Sequence, residues 1–227
     1  MKFGVLGTGV VGKTLADKLS SLGHDVVIGT RDPAASAQRT APGAFGDPSL
    51  SDFLAGHPAI RLGTFAEAAA HGEIVLNATS GLGALDALAQ AGAEHLEGKI
   101  LMDLSNPLDF SRGFPPRLSV CNDDSLGEQI QRAVPGAKVV KTLNTVNAWL
   151  MVAPGLLAGG DHTMFVCGDD ADAKATVTRL LVDGFGWRDV LDLGGLAQSR
   201  GTEMYLALWT RLYGALQIPM FSVKVVR

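Results

Sequence analysis

Apolar residues along this chain gather into short continuous runs separated by segments of helical spacing. Phe3-Gly4-Val5-Leu6, Val26-Val27-Ile28, Ile74-Val75-Leu76, Ile100-Leu101-Met102 and Lys138-Val139-Val140-Lys141-Thr142-Leu143 show little apolar/polar alternation, which predicts strands buried on both faces of a parallel sheet. Ile60-Arg61-Leu62 is a shorter candidate of the same kind. Between these runs, residues 13–22, 64–70, 84–91 and 125–134 carry helical spacing, and Thr64 with Glu67 three positions on reads as a capping box. Residues 33–58, rich in Ala, Pro, Gly, Ser and Asp, have no clear period and predict short helical pieces and loop. Strands alternating with helices predict an α/β fold built on a doubly wound, mainly parallel Rossmann sheet.

Beyond residue 150 the pattern changes. Met164-Phe165-Val166-Cys167-Gly168 and Trp187-Arg188-Asp189-Val190-Leu191 read as strands, Asp170 as the cap of a helix reaching Leu181, residues 199–218 as one long helix, and residues 221–226 as a terminal strand. The stripe Met204, Tyr205, Leu208, Trp209, Leu212 and Leu216 favours core or dimer packing over a stacking platform for a cofactor ring. The chain therefore divides into a dinucleotide-binding domain, residues 1–150, and a small C-terminal α/β extension ending in a long helix, residues 151–227.

The first two strands flank Gly7-Thr8-Gly9-Val10-Val11-Gly12, a strand, glycine-rich turn and helix in the order and spacing of a dinucleotide-binding βαβ unit. In that unit Gly7 makes the tight turn, Gly9 admits the pyrophosphate, and Gly12 lets helix and strand pack closely. An NAD site expects a carboxylate about 20 residues past the glycines to hold the ribose 2′-hydroxyl. Gly29-Thr30-Arg31 stands there instead, and a hydroxyl beside a permanently charged guanidinium suits a 2′-phosphate, so NADP(H) is expected. Asp32 is close enough to compete for the ribose, but Pro33 after it reads as a helix start that Asp32 caps.

The polar stretches Asn77-Ala78-Thr79-Ser80-Gly81, Asp103-Leu104-Ser105-Asn106-Pro107 and Asn144-Thr145-Val146-Asn147 all follow predicted strands. Ligands of such sheets lie outside the carboxyl ends of the strands, so the three exits point at one crevice. No acid, base or nucleophile stands out there. Ser80 lacks the glycine two residues upstream that a nucleophile elbow needs, and Asp103 before Ser-Asn-Pro reads as a turn residue in preference to a base. Neutral hydrogen-bonding groups suit hydride transfer between two rings, in which the protein supplies position and excludes water.

Composition narrows the partners. The 227 residues carry a net charge of −4 with no run of like charge, which gives no field for nucleic acid or a membrane surface. No apolar run approaches the roughly 18 residues of a bilayer span, and the first one is too short for a signal peptide, so a cytoplasmic protein is expected. Cys121 and Cys167 read as two free thiols, and the scattered histidines predict no metal site.

Taken together, the turn Gly7-Thr8-Gly9-Val10-Val11-Gly12-Lys13, Gly23-His24, Gly29-Thr30-Arg31, Val166-Cys167-Gly168-Asp169-Asp170, Leu191-Asp192-Leu193-Gly194 and Ser199-Arg200 with Glu203 resemble the NADPH-dependent oxidoreductases of the deazaflavin coenzyme F420. Relatives of that family form the cytoplasmic reductase domain of membrane ferric reductases. The resemblance implies a 2′-phosphate site at Thr30 and Arg31, a pyrophosphate turn from Thr8 to Val11, and an adenosine and nicotinamide side lined by Asn77-Ala78-Thr79 and Leu143-Asn144-Thr145. It further implies a homodimer, a C-terminal part that shapes the second pocket, and a small-molecule hydride acceptor, coenzyme F420 first. Where the family carries His-Thr-Ile-Pro after the sixth strand, this chain has Asn144-Thr145-Val146-Asn147. Arg112, Arg117 and Arg200 are either local partners for an acidic tail or ordinary solvated arginines. An imine, a flavin or a flavin-chelated ferric ion as substrate, and a non-catalytic NADP-binding redox sensor, stand as alternatives.

NADPH is expected to bind at least tenfold more tightly than NADH, because a charge-assisted contact to the 2′-phosphate is worth on the order of 1.5–3 kcal/mol. Fluorescence titration of the wild type and of Arg31→Ala checks this, the variant losing most of the preference.

Overall fold

The computed structural model describes residues 1–43 and 46–227; residues 44 and 45, within the aperiodic 33–58 stretch, lie outside the described residues. Strand β1 (Lys2–Leu6), helix α1 (Val10–Ser21) and β2 (Asp25–Thr30) make the first βαβ unit. The short helices α2 (Pro33–Ala37) and α3 (Leu50–Gly56) lead to β3 (Arg61–Thr64), α4 (Phe65–His71), β4 (Ile74–Asn77), α5 (Ala84–Ala91) and β5 (Ile100–Asp103). A small hairpin, β6 (Leu108–Asp109) with β7 (Arg117–Leu118), precedes α6 (Leu126–Ala133), β8 (Lys138–Thr142) and α7 (Ala148–Val152). The chain continues with β9 (Thr163–Gly168), α8 (Ala171–Arg179), β10 (Asp189–Asp192), α9 (Ser199–Met204) and α10 (Leu206–Leu216).

Eight strands form one sheet in the order β10-β9-β8-β5-β4-β1-β2-β3. All neighbours pair in parallel except β8 and β9, which run antiparallel with Lys141 opposite Cys167. Strand order reverses at β1, between β4 and β2, and this is the switch point where a doubly wound sheet opens a crevice.

The missing alternation in the strands has a direct cause. Val5, Ile28, Leu76, Met102 and Val140 enter one core, under α1, α7 and α8. Their neighbours Leu6, Val27, Val75, Leu101 and Val139 enter a second core under α4, α5 and α6. Both faces are covered, so successive residues are all apolar. Local caps set the helix starts. Thr64 Oγ1 accepts from Glu67 N at 3.1 Å while Glu67 Oε2 accepts from Thr64 N at 2.7 Å, Asp32 Oδ1 accepts from Ala35 N at 3.0 Å, and Asp170 Oδ1 accepts from Ala173 N at 2.8 Å.

The C-terminal third departs from its sequence pattern in two places. Trp187 lies before β10 rather than in it, 1% exposed, its indole donating to Met151 O at 2.9 Å; burial of the large ring takes that residue out of the sheet edge. The long helix expected over residues 199–218 is present to Leu216, its hydrogen bonding changing at Tyr205, whose carbonyl accepts from both Leu208 N and Trp209 N, so that α9 and α10 meet there. Residues 221–226 are not a strand, for their backbone meets the sheet end only through Thr163, which donates to Val223 O and accepts from Val225 N on its hydroxyl. The apolar stripe also splits. Met204 at the end of α9 and Leu208 and Leu216 on α10 face solvent, and Trp209 turns to a cleft. No helix of the described residues is long and apolar enough to cross a membrane.

Candidate active site

At the end of β1 the chain turns at Gly7, whose φ of 117° is one that side chains rarely adopt. Its amide donates to Gly29 O at 3.0 Å and holds the turn against the exit of β2. A Cβ on Gly12 would come within 2.0 Å of Gly7 O, whereas a Cβ on Gly9 meets nothing within 4 Å. Gly12 thus serves close packing within the protein, and Gly9 leaves open space over the first turn of α1. That turn has no acidic residue and no side-chain cap, so its amides are free to take an anion, and a dinucleotide pyrophosphate fits the space.

Around the β2 exit, Thr30 is buried with its hydroxyl 2.9 Å from Ser36 Oγ, while Arg31 is exposed. Asp32 is engaged as the cap of α2. Arg39, which the sequence pattern does not single out, donates from Nη2 to Thr8 Oγ1. Lys13 is nearly buried against Asp47 and the Pro48 carbonyl, which pins the segment before α3 to α1. Thr8, Gly9, Val10, Lys13, Arg39 and Asp47 line a cleft of about 530 Å³.

A second cleft, about 630 Å³, shares Val10 with the first and runs over the strand exits. Its lining includes Val11 from α1, Ala78 and Thr79 after β4, Asn106 after β5, Asn144 after β8, Trp149 from α7 and Trp209 from α10. Among the described residues, Asp109 is its one ionisable lining residue. Trp209 is stacked on Tyr213 with ring centroids 5.8 Å apart and packs on Phe221 at 5.0 Å. Arg200 is not available to this cleft's ligands, since Nε and Nη2 fork onto Glu128 at 2.8 and 2.6 Å; the pairing holds the Glu128 carboxyl below its usual range.

Behind the polar exits lies a buried network. Lys141 is fully buried, its ammonium 2.7 Å from Asp103 Oδ2, 2.7 Å from Glu203 Oε1 and 2.6 Å from the Ser105 carbonyl. Burial pushes the ammonium's pKa down, but the carboxylates of Asp103 and Glu203 outweigh it and the group stays charged, with its pKa raised. Glu203 also accepts from Leu126 N at 2.8 Å and Gly127 N at 3.0 Å at the start of α6. Asp103 Oδ1 accepts from Asn77 Nδ2 at 2.9 Å, Ser105 N at 3.1 Å and Ser105 Oγ at 2.7 Å, the turn role expected of it. A lysine following two valines inside a strand was the sequence signal for Lys141, and nothing in the sequence located its partner Glu203.

Of the residues that sequence and resemblance nominate, Thr8, Gly9, Val10, Val11, Ala78, Thr79 and Asn144 line the two clefts. Asn77 and Thr145 are buried behind them, and Asn77 Oδ1 accepts from Thr79 Oγ1 at 2.6 Å. Leu143 is fully buried with φ 61°, a left-handed turn costing roughly 1–2 kcal/mol for a residue with a side chain. The strained turn leads into Asn144, which donates to Asn106 Oδ1 at 2.9 Å and to Thr202 O at 3.1 Å.

Residues 2–107 match the family model described as NADP oxidoreductase coenzyme F420-dependent. A crystal structure of a protein assigned as an F420-dependent NADP-reductase from Arthrobacter sp. FB24 is 55% identical, covers 100% of both chains and superposes with a TM-score of 0.94. An F420-dependent NADP reductase of Methanothermobacter marburgensis is 29% identical over 93% of this chain and 92% of its own. Metalloreductase STEAP3 of Rattus norvegicus is 32% identical over 96% of this chain, which spans 38% of that relative's length.

Gly9→Val is expected to leave thermal stability within a degree or two while weakening NADPH and NADH by a similar factor, since the added side chain meets only ligand space. Calorimetric melting with parallel titrations checks this. Asp103→Asn leaves Lys141 short of one carboxylate in a dry site and is expected to cost about 3–5 kcal/mol, read from the denaturant midpoint. Turnover per folded molecule is expected to fall only about 10- to 100-fold, the loss expected of a residue that orients the exits through Asn77 and Ser105.

Proposed function

The chain belongs to the NADP oxidoreductase coenzyme F420-dependent family, a family of NADP-dependent oxidoreductases, and from this we propose that it passes hydride between NADPH and a flat ring acceptor, coenzyme F420 first, in the larger cleft. One observation carries the reading. The cleft is lined by Val10 and Val11 at the glycine turn and by Trp149 and Trp209, with Asp109 its one ionisable lining residue among the described residues, which suits positioning of two rings better than proton chemistry. NADPH, when bound, supplies the hydride.

This chain's own residues do the rest. Amides from Gly9 to Val11 hold the pyrophosphate, Thr30 and Arg31 face the 2′-phosphate, and Ala78, Thr79 and Asn144 orient the ring end of the cofactor. Trp149, Leu206 and Trp209 give the acceptor an apolar wall and keep water out. In this reading residues 1–150 carry the cofactor, and residues 151–227 complete the acceptor side. The same part supplies a homodimer face through the exposed Met204, Leu208 and Leu216, and the protein acts in the cytoplasm.

A second reading, an uncharged flavin as acceptor, is favoured by the lack of Lys or Arg among the residues lining the cleft, since the acidic tail of F420 finds no cation inside it. NADPH absorbance followed while F420, riboflavin and small imines are offered in turn separates these. Oxidation with a ring acceptor is the expected result, and Trp209→Ala is expected to raise the acceptor KM about three- to tenfold while NADPH affinity holds within twofold. Tight NADPH binding with no acceptor reduced replaces the enzyme by a redox sensor.

A further inference from the structure

We infer that Arg39 is a second determinant of NADP over NAD, a guanidinium brought to the 2′-phosphate by the segment after α2 and not by the β2 exit. The inference rests on the dinucleotide site proposed above.

The side chain spans two places between which the adenosine ribose of such a site lies. At its root, Arg39 N donates to Ser36 O at 3.1 Å and Ser36 Oγ is 2.9 Å from Thr30 Oγ1, so the residue is tied to the end of β2. At its tip, Nη2 reaches Thr8 Oγ1 in the glycine turn. In a βαβ dinucleotide unit the phosphates sit on the turn and the ribose 2′ position sits by the exit of the second strand. A cation held across that gap stands where a 2′-phosphate arrives.

Its charge is also uncommitted. Arg39 has no carboxylate partner among the described residues; Asp47, which lines the same cleft, is paired with Lys13, and Asp32 is spent on the cap of α2. A guanidinium offers five donors, and here one reaches Thr8 and one makes a long 3.5 Å contact to Ser36 O, which leaves donors for a phosphate. Its backbone is fixed as well, since Ser51 N donates to Arg39 O at 3.2 Å and ties the segment to α3.

The competing role is purely structural, a strap that pins the glycine turn through Thr8. Titration calorimetry separates the two with four probes, NADPH, NADH, adenosine 2′,5′-bisphosphate and adenosine 5′-monophosphate, on the wild type, Arg39→Ala, Arg39→Lys and Arg31→Ala. The expected result is about a tenfold loss of NADPH and bisphosphate affinity in Arg39→Ala, with NADH and the monophosphate changed less than twofold and Arg39→Lys recovering part of the loss. Equal losses for phosphorylated and unphosphorylated probes, or no loss at all, overturn the inference and leave the strap. A wild type that binds none of the four overturns the dinucleotide site itself, and the inference with it. Because the side chain is exposed, Arg39→Ala is expected to melt with the wild type, so a changed affinity reads the site and not the fold.

Discussion

The ammonium of Lys141, held dry between Asp103 and Glu203, is the interaction on which the site depends. It ties α9 to two strands that the sheet already pairs, Asp103 standing directly opposite Lys141. Asp103 ends β5, Lys141 lies in β8, and Glu203 belongs to α9 and reaches across to the first amides of α6. A buried charge triad is weak evidence of net stability, because desolvation offsets much of the attraction. Its consequence is a defined arrangement, since displacing any one of the three groups leaves a buried charge without its partner. The excess negative charge is spread over the α6 amides and over Asn77 and Ser105, so each carboxylate oxygen of Asp103 and Glu203 has a donor.

From that anchor the polar exits inherit their geometry. Asp103 holds Ser105 and Asn77, and Asn77 holds Thr79. The strained turn at Leu143 sets Asn144 against Asn106 and Thr202. Thr79, Ser105 and Asn144 at the cleft are therefore each held by a buried partner, which is what a site that works by position requires. The strain at Leu143 persists because its side chain is fully buried and the next residue is bonded on two sides.

The glycine turn does the complementary task at the other end. Gly7 and Gly12 are consumed by contacts within the protein and Gly9 by none, so one short motif both closes the βαβ unit and keeps a ligand space open. The two clefts share Val10 at the start of α1, one lying towards the segment after α2 and the other towards the aromatic residues of α10. Cys167, opposite Lys141 across the strand pair, takes no part. Burial pushes its thiol up to about 12, so it is an inert packing residue.

What the sequence by itself determined is what depends on neighbours in the chain. Apolar runs without alternation marked strands covered on both faces, Thr64, Asp32 and Asp170 marked helix starts through bonds to amides three residues on, and the glycine turn declared itself by spacing. Tertiary structure decided the rest. Antiparallel β9, Trp187 in the core, the partnership of Lys141 with Glu203 and the reach of Arg39 to Thr8 all join residues, or bury surfaces, that the local pattern does not relate. A side chain's periodicity reports which way it points from its own element, whereas its partner is chosen by how distant elements pack, and a charge or a large ring follows the partner.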